Sequence, residues 1–142
     1  MNQKVMLQKA RTNNKFGISF INGFHDADLD IDEFANDNFI ICTNDNVSRK
    51  GIIINYTKQS IEIHFMPSLK MAPHVFLPND TRGKVSLGAR LSIYNKSNFD
   101  VPIEESESKF IIKDKVEVKK GGIAIITKIA KQKWLAEGSL CG

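Results

Sequence analysis

The fold is decided by the last third of the sequence, which includes Lys115-Val-Glu-Val-Lys-Lys-Gly-Gly-Ile-Ala-Ile-Ile-Thr-Lys-Ile129. Short apolar runs alternate there with turn-forming residues, and Lys133-Trp-Leu-Ala-Glu-Gly138 ends the series with the only tryptophan of the chain. Gly121 and Gly122 can supply the positive φ angles that a tight hairpin needs. Residues 83–142 therefore predict a row of short β-strands joined by turns.

The same signals extend upstream of this stretch. Phe39-Ile-Ile-Cys-Thr43 and Gly51-Ile-Ile-Ile-Asn-Tyr56 are apolar runs of strand length, and Ser60-Ile-Glu-Ile-His-Phe-Met66 alternates apolar and polar residues. The last two segments, joined by a short connection, predict a half-buried antiparallel hairpin. No window shows the 3.6-residue period of an amphipathic helix. We therefore predict an all-β fold, an antiparallel β-sandwich or barrel of jelly-roll type.

A faint internal repeat recurs at a spacing of 40 residues. Each copy consists of a strand, a polar turn and a second strand, and the matching residues are Ile53, Asn55, Ile61 and Ile63 with Ile93, Asn95, Val101 and Ile103. Because hairpins resemble one another for physical reasons alone, the repeat gives only slight support to a duplication.

The sequence predicts two parts. Residues 1–37 form an N-terminal arm and charged segment, and residues 38–142 form a β-sandwich domain. Bases without acids occupy residues 1–16, and acids without bases occupy residues 26–45. The segment Phe16-Gly-Ile-Ser-Phe-Ile-Asn-Gly-Phe24 is typical of an edge strand that adds to its own domain or to another chain. We expect the arm to bind a neighbouring subunit through Lys4, Lys9, Arg11, Lys15, Phe16, Ile18 and Phe20. The alternative is a frayed, solvated terminus.

Composition restricts the class of protein. At 142 residues with 42% hydrophobic residues and a net charge of +4, the chain fits one globular domain with a tail. Lysine outnumbers arginine, which argues against nucleic acid as a partner. No apolar run reaches the roughly 20 residues that span a bilayer, so we expect a soluble protein without membrane contact. Cys42 and Cys141 have no metal-site spacing, and we expect both to be reduced thiols.

Catalytic, cofactor and metal motifs are missing from the sequence. His25, His64 and His74 are scattered, without the paired spacing of a zinc site. There is no nucleophile elbow, phosphate-binding loop or dinucleotide fingerprint. The carboxylates of Asp26-Ala-Asp-Leu-Asp-Ile-Asp-Glu33 suggest calcium, but the glycine and glutamate of a helix-loop-helix calcium loop are not in place. We predict no enzymatic activity, no cofactor and no metal.

Aromatic residues leave two binding functions open. Tyr56 and Tyr94 are candidate glycan contacts of a host-recognition module. A barrel that binds single-stranded nucleic acid would use the same tyrosines and Trp134 as stacking platforms. Trp134 follows a strand of core character, and we therefore predict that it anchors the core.

Three segments together resemble a known family: Leu91-Ser-Ile-Tyr-Asn95, residues 115–129, and Lys133 to Leu140. They resemble a small β domain that recurs in the fibre, spike and capsid-decoration proteins of tailed bacteriophages. Its plan is an Ile-x-Asn strand end, a strand followed by glycine, an apolar strand and a closing Trp-x-x-x-Gly-x-Leu. The closing positions here are Trp134, Gly138 and Leu140.

The resemblance covers about residues 83–142 and implies a role in the virion. It implies a non-enzymatic structural protein that decorates the capsid or forms part of a tail or fibre assembly. Such a protein would contact other virion proteins and form a homo-oligomer, for which the analogy suggests a trimer.

Overall fold

A computed structural model of the chain describes residues 11–13, 17–24, 38–43, 50–55, 60–104, 109–110 and 116–141. All regular structure in these residues is β-strand, and they contain no helix long and apolar enough to cross a membrane. The strands are β1 (Arg11–Asn13), β2 (Ile18–Ile21), β3 (Asn38–Thr43), β4 (Gly51–Asn55), β5 (Ser60–Phe65), β6 (Pro73–Phe76), β7 (Arg90–Asn95), β8 (Val101–Glu104), β9 (Lys109–Phe110), β10 (Val116–Val118), β11 (Ile123–Ala130), β12 (Lys133–Gly138) and β13 (Leu140–Cys141). The predicted all-β class is confirmed.

The strands form two sheets that share one hydrophobic core. The seven-stranded sheet has the order β1-β2-β5-β7-β11-β12-β9, and the six-stranded sheet has the order β13-β10-β8-β6-β3-β4. Strands β5 and β7 bury every second residue, as their alternating sequences predict. Across the core, the ring centroids of Phe39 on β3 and Trp134 on β12 are 6.0 Å apart at an angle of 66°. Residues of both sheets therefore belong to the same buried cluster.

Both sheets are mixed. Strands β5 and β7 run parallel with Ile61 opposite Leu91, and β6 and β8 run parallel with Val75 opposite Ile103. Strand β11 pairs antiparallel with β7 and β12, and β3 pairs antiparallel with β4 and β6. The prediction of antiparallel pairing throughout is therefore wrong. The barrel alternative is wrong as well, because the described strands do not close into a barrel.

Two predicted hairpins are instead connections between the sheets. Strand β4 is at an edge of the six-stranded sheet, whereas β5 lies inside the seven-stranded sheet. Strands β10 and β11, on either side of Gly121 and Gly122, are divided between the sheets in the same way. There the Gly122 N–H donates to the Lys119 carbonyl at 2.9 Å, and Gly121 has a φ of 78°, as the third residue of a type II turn requires. Alternation determines which face of a strand is buried, and it does not determine which sheet the strand joins.

Strands β1 and β2 place part of the predicted arm in the seven-stranded sheet. Strand β2 pairs parallel with β5 of the same chain, so this segment adds to its own sheet, which is one of the two alternatives left open for it. Arg11 lies in β1, and Ile18 and Phe20 lie in β2. The other arm residues, Lys4, Lys9, Lys15 and Phe16, are outside the described residues, as is the acidic segment 26–33.

Candidate functional site

Four side chains form a row across the outer face of the seven-stranded sheet. Phe20 is opposite His64, His64 is opposite Tyr94, and Tyr94 is opposite Ile123, so the row crosses β2, β5, β7 and β11. Their neighbours along these strands, including Ile63, Ile93 and Ala124, are buried in the core. Because successive strand residues point to opposite faces, the four side chains point away from the core. We call them the outer row.

The rings of the outer row are stacked on one another. The His64 and Tyr94 centroids are 4.4 Å apart with planes at 5°, and the Phe20 and His64 centroids are 4.9 Å apart at 32°. Glu62 Oε2 is 3.2 Å from His64 Nε2, whereas His64 Nδ1 is buried without a hydrogen-bond partner in the described part of the chain. Stacking and one carboxylate therefore hold the imidazole in a single orientation.

The outer row and Ile125 leave apolar surface open to solvent. The exposed fraction is 37% for Phe20, 48% for Ile123 and 37% for Ile125, which lies two residues along the same face of β11. Single exposed apolar residues are ordinary, but the half-buried rings of His64 and Tyr94 join Phe20 to the β11 residues in one surface, which indicates an interaction site. We call Phe20, His64, Tyr94, Ile123 and Ile125 the contact face.

Charges of both signs border the contact face. Glu62, two residues before His64 on β5, and Glu137, opposite Ile125 on β12, supply carboxylates. Arg90, the first residue of β7, is exposed and has no ion-pair partner among the described residues. This face therefore combines an apolar centre with a charged rim, the usual composition of a protein–protein contact.

A buried ion pair fixes the loop before β7. Lys128 Nζ donates to Asp80 Oδ2 and, at 2.7 Å, to the Val85 carbonyl. The backbone N–H groups of Lys84 and Val85 donate to Asp80 Oδ1 at 2.7 and 3.2 Å. Both charges are thus satisfied inside the protein, and the pair joins residues 80–85 to β11. Its role is structural.

Sequence reasoning missed this ion pair although a signal for it was present. Ala124, Ile126 and Lys128 occupy alternate positions of β11, so a lysine occurs where the strand faces the core. A buried lysine requires an acidic partner, and the turn around Asp80 provides one.

Asn95, in the Ile-x-Asn motif, is a buried link between the sheets. Its amide nitrogen donates to the Phe99 carbonyl at 2.7 Å and to the Val118 carbonyl at 3.0 Å. Its side-chain oxygen accepts from the Ser97 backbone N–H at 3.2 Å and the Ser97 hydroxyl at 2.6 Å. The side chain therefore connects the end of β7 with the turn that follows and with β10 of the other sheet.

The structure separates the aromatic residues that sequence reasoning grouped as binding platforms. Trp134 is fully buried and packs in the core, away from any ligand in solvent. Tyr94 lies in the outer row, where His64 covers one face of its ring. A sugar would have to stack on the opposite face, where Ile123 is the paired residue. Tyr56 lies outside the described residues.

The remaining polar side chains that the structure describes form no metal centre. In the described ranges, no group of three or more histidine, cysteine, aspartate or glutamate side chains is arranged to hold a metal ion. His74 is buried beside Phe76, with its Nε2 at 3.4 Å from Glu104 Oε2. Cys42 is a buried thiol in β3.

Comparison with known proteins adds no assignment. No protein-family model matches the chain, and no curated protein or solved structure matches it.

Proposed function

We propose that this chain is a non-enzymatic structural protein of a tailed-bacteriophage particle. Its two sheets form a β-sandwich module that decorates the capsid or joins a tail or fibre assembly. It acts by oligomeric contacts and by contacts with other virion proteins. Residues ahead of β1, including Lys4 and Lys9, serve as the arm that reaches a neighbouring subunit.

The contact face is the observation that carries this proposal. A protein that works by holding its place in an assembly needs a surface whose shape is set before contact. The stacked rings of Phe20, His64 and Tyr94 have little rotamer freedom left to lose, so binding through them costs little side-chain entropy. Aromatic residues are also enriched at protein–protein contacts.

The interior supports the same role. The Asp80–Lys128 pair holds one loop against β11, and Asn95 ties β7 to the other sheet. Fully satisfied buried polar networks make a domain rigid. A rigid module is suited to a repeated position in a particle.

The test is to find the chain in particles. An antibody against the recombinant protein would be applied to gradient-purified phage particles from cells that carry the gene, and the particles viewed by immunogold electron microscopy. Peptide mass spectrometry of the same fraction would measure its copy number. We expect labelling at one fixed position and a copy number in a simple ratio to the major capsid or tail protein.

The matched control uses antibody pre-absorbed with the purified protein, which should abolish the labelling. A chain that is abundant in the lysate and absent from washed particles would reject the proposal.

A further inference from the structure

We propose that the contact face binds a second copy of this chain, so that two copies pack through the outer faces of their seven-stranded sheets about a two-fold axis. The inference rests on the proposed function, since it names the partner of the surface on which that function depends. The order of apolar and charged residues on this face supports a second copy as the partner.

The outward residues of β11 are arranged almost symmetrically along the strand. Ile123, Ile125 and Thr127 occupy its alternate positions, and Ile129, at the β-bulge between Lys128 and Ala130, is 39% exposed. A two-fold axis that passes between Ile125 and Thr127, across the strands, would bring Ile123 of one copy to Ile129 of the other. It would bring Ile125 to Thr127 in the same way. In a two-fold contact every pairing of residues occurs twice. Strand β11 of one copy can therefore pack on β11 of the second copy.

The charges obey the same symmetry. Glu62 and Glu137 lie in the row of Ile125, because Glu62 is opposite Ser92, Ser92 is opposite Ile125, and Ile125 is opposite Glu137. Arg90 lies in the next row, opposite Thr127. The axis between these rows lays the acidic row of one copy over the basic row of the other. Glu62 on β5 of one copy then lies one strand away from Arg90 on β7 of the second copy.

Charge of a single sign on this face would repel a second copy. This face instead carries both signs in adjacent rows, and the axis that pairs the apolar residues also pairs the charges. Such complementarity selects the partner. Faces of two sheets pack at about 10 Å with their strands aligned to within about 30°, a distance that Glu62 and Arg90 side chains can bridge.

The test is the oligomeric state of the purified full chain, measured by sedimentation velocity over a range of concentrations. We expect a species of twice the 16.0 kDa of the chain. Ile125→Lys would place a charge in the apolar centre of the contact and should weaken the dimer about ten-fold. The matched control is Met71→Lys, at a residue that is 49% exposed in the loop before β6 and outside the contact face. This variant should dimerise like the parent.

A charge exchange tests the orientation. Glu62→Arg and Arg90→Glu should each weaken the dimer about ten-fold. The double variant should recover part of that loss, because the pair is restored with its signs exchanged while the contact of Glu62 with His64 stays lost. Unchanged emission from the buried Trp134 would show that every variant is folded.

Three outcomes would overturn the inference: a monomer at every concentration, a trimer, or a dimer that Ile125→Lys leaves intact. A monomer that labels phage particles would reject self-association and leave the structural role standing. A dimer that is absent from particles would support self-association and reject the structural role in the particle.

Discussion

Lys128 on β11 donates to the carboxylate of Asp80, 48 residues earlier in the chain, and both side chains are buried. Two charges withdrawn from water in this way depend on each other, since each compensates the desolvation of its partner.

We predict that Lys128→Met lowers the free energy of unfolding by about 3–5 kcal/mol, because it leaves the Asp80 carboxylate buried without its counter-charge. Urea denaturation would measure the loss. The double variant Asp80→Asn with Lys128→Met should lose less than Lys128→Met alone, since it removes both charges. Lys131→Met, at an exposed turn residue, is the control and should change little. Equal effects of Lys128→Met and Lys131→Met would contradict the buried pair.

Asn95→Ala should destabilise the protein by about 3 kcal/mol, because the carbonyls of Phe99 and Val118 lose their donor. Asn95→Asp should be at least as harmful despite its similar shape, since a carboxylate would face those two carbonyl oxygens. Asn98→Ala, at an exposed residue of the same turn, should be neutral. Thermal unfolding of the three variants side by side would measure these differences. Tolerance of Asn95→Asp would show that Asn95 acts only as an acceptor.

Trp134→Ala should cost about 3–5 kcal/mol of stability, the usual loss for a buried aromatic residue. Trp134→Phe should cost clearly less, because the indole Nε1 has no hydrogen-bond partner within the described residues and only volume is lost. Chemical denaturation followed by circular dichroism would measure both. If stability is unchanged while binding of a ligand disappears, the core role is wrong.

Gly138→Ala should destabilise the protein more than Gly83→Ala. Both glycines have positive φ angles, 120° and 65° respectively. A Cβ at Gly138 would collide with the backbone of Ile123 and Ala124, whereas a Cβ at Gly83 would meet open space. We expect a loss of about 1 kcal/mol at Gly83, from backbone conformation alone. At Gly138 we expect about 2–3 kcal/mol, because the strands must also move apart. Melting temperatures of the two variants would test the order.

Features that depend on residues adjacent in the sequence could be predicted from it. The alternation in β5 and β7 predicted their buried faces correctly. The 40-residue repeat did not indicate which strands are neighbours, because Ile53 and Ile93 lie in strands of different sheets. The strands that pair are instead β5 with β7, where Ile61 is opposite Leu91, and β6 with β8, where Val75 is opposite Ile103. Similar strands exist in any all-β chain, and only the paired register shows which ones are neighbours.

The contact face could not be found in the sequence for the same reason. Its outer row takes one residue from each of four strands, and the two parallel pairings that align Phe20, His64 and Tyr94 join distant segments of the chain. The sequence indicated Tyr94 as a candidate glycan contact, but nothing adjacent to it in the sequence points to His64 or Phe20. Asp80 and Lys128 are separated in the same way, although the inward position of Lys128 was a usable sign.

The parallel pairings also determine when the protein can begin to fold. Ile61 cannot pair until Leu91, 30 residues later in the chain, has come into place. Val75 depends in the same way on Ile103, 28 residues later. Neither ladder can start from a local hairpin, so the entropy of closing a long loop is lost before the first hydrogen bond forms. Refolding should therefore be slow, on the order of milliseconds to seconds. On the ribosome, β5 keeps an unpaired edge until β7 has emerged, and during that interval the nascent chain is most exposed to aggregation.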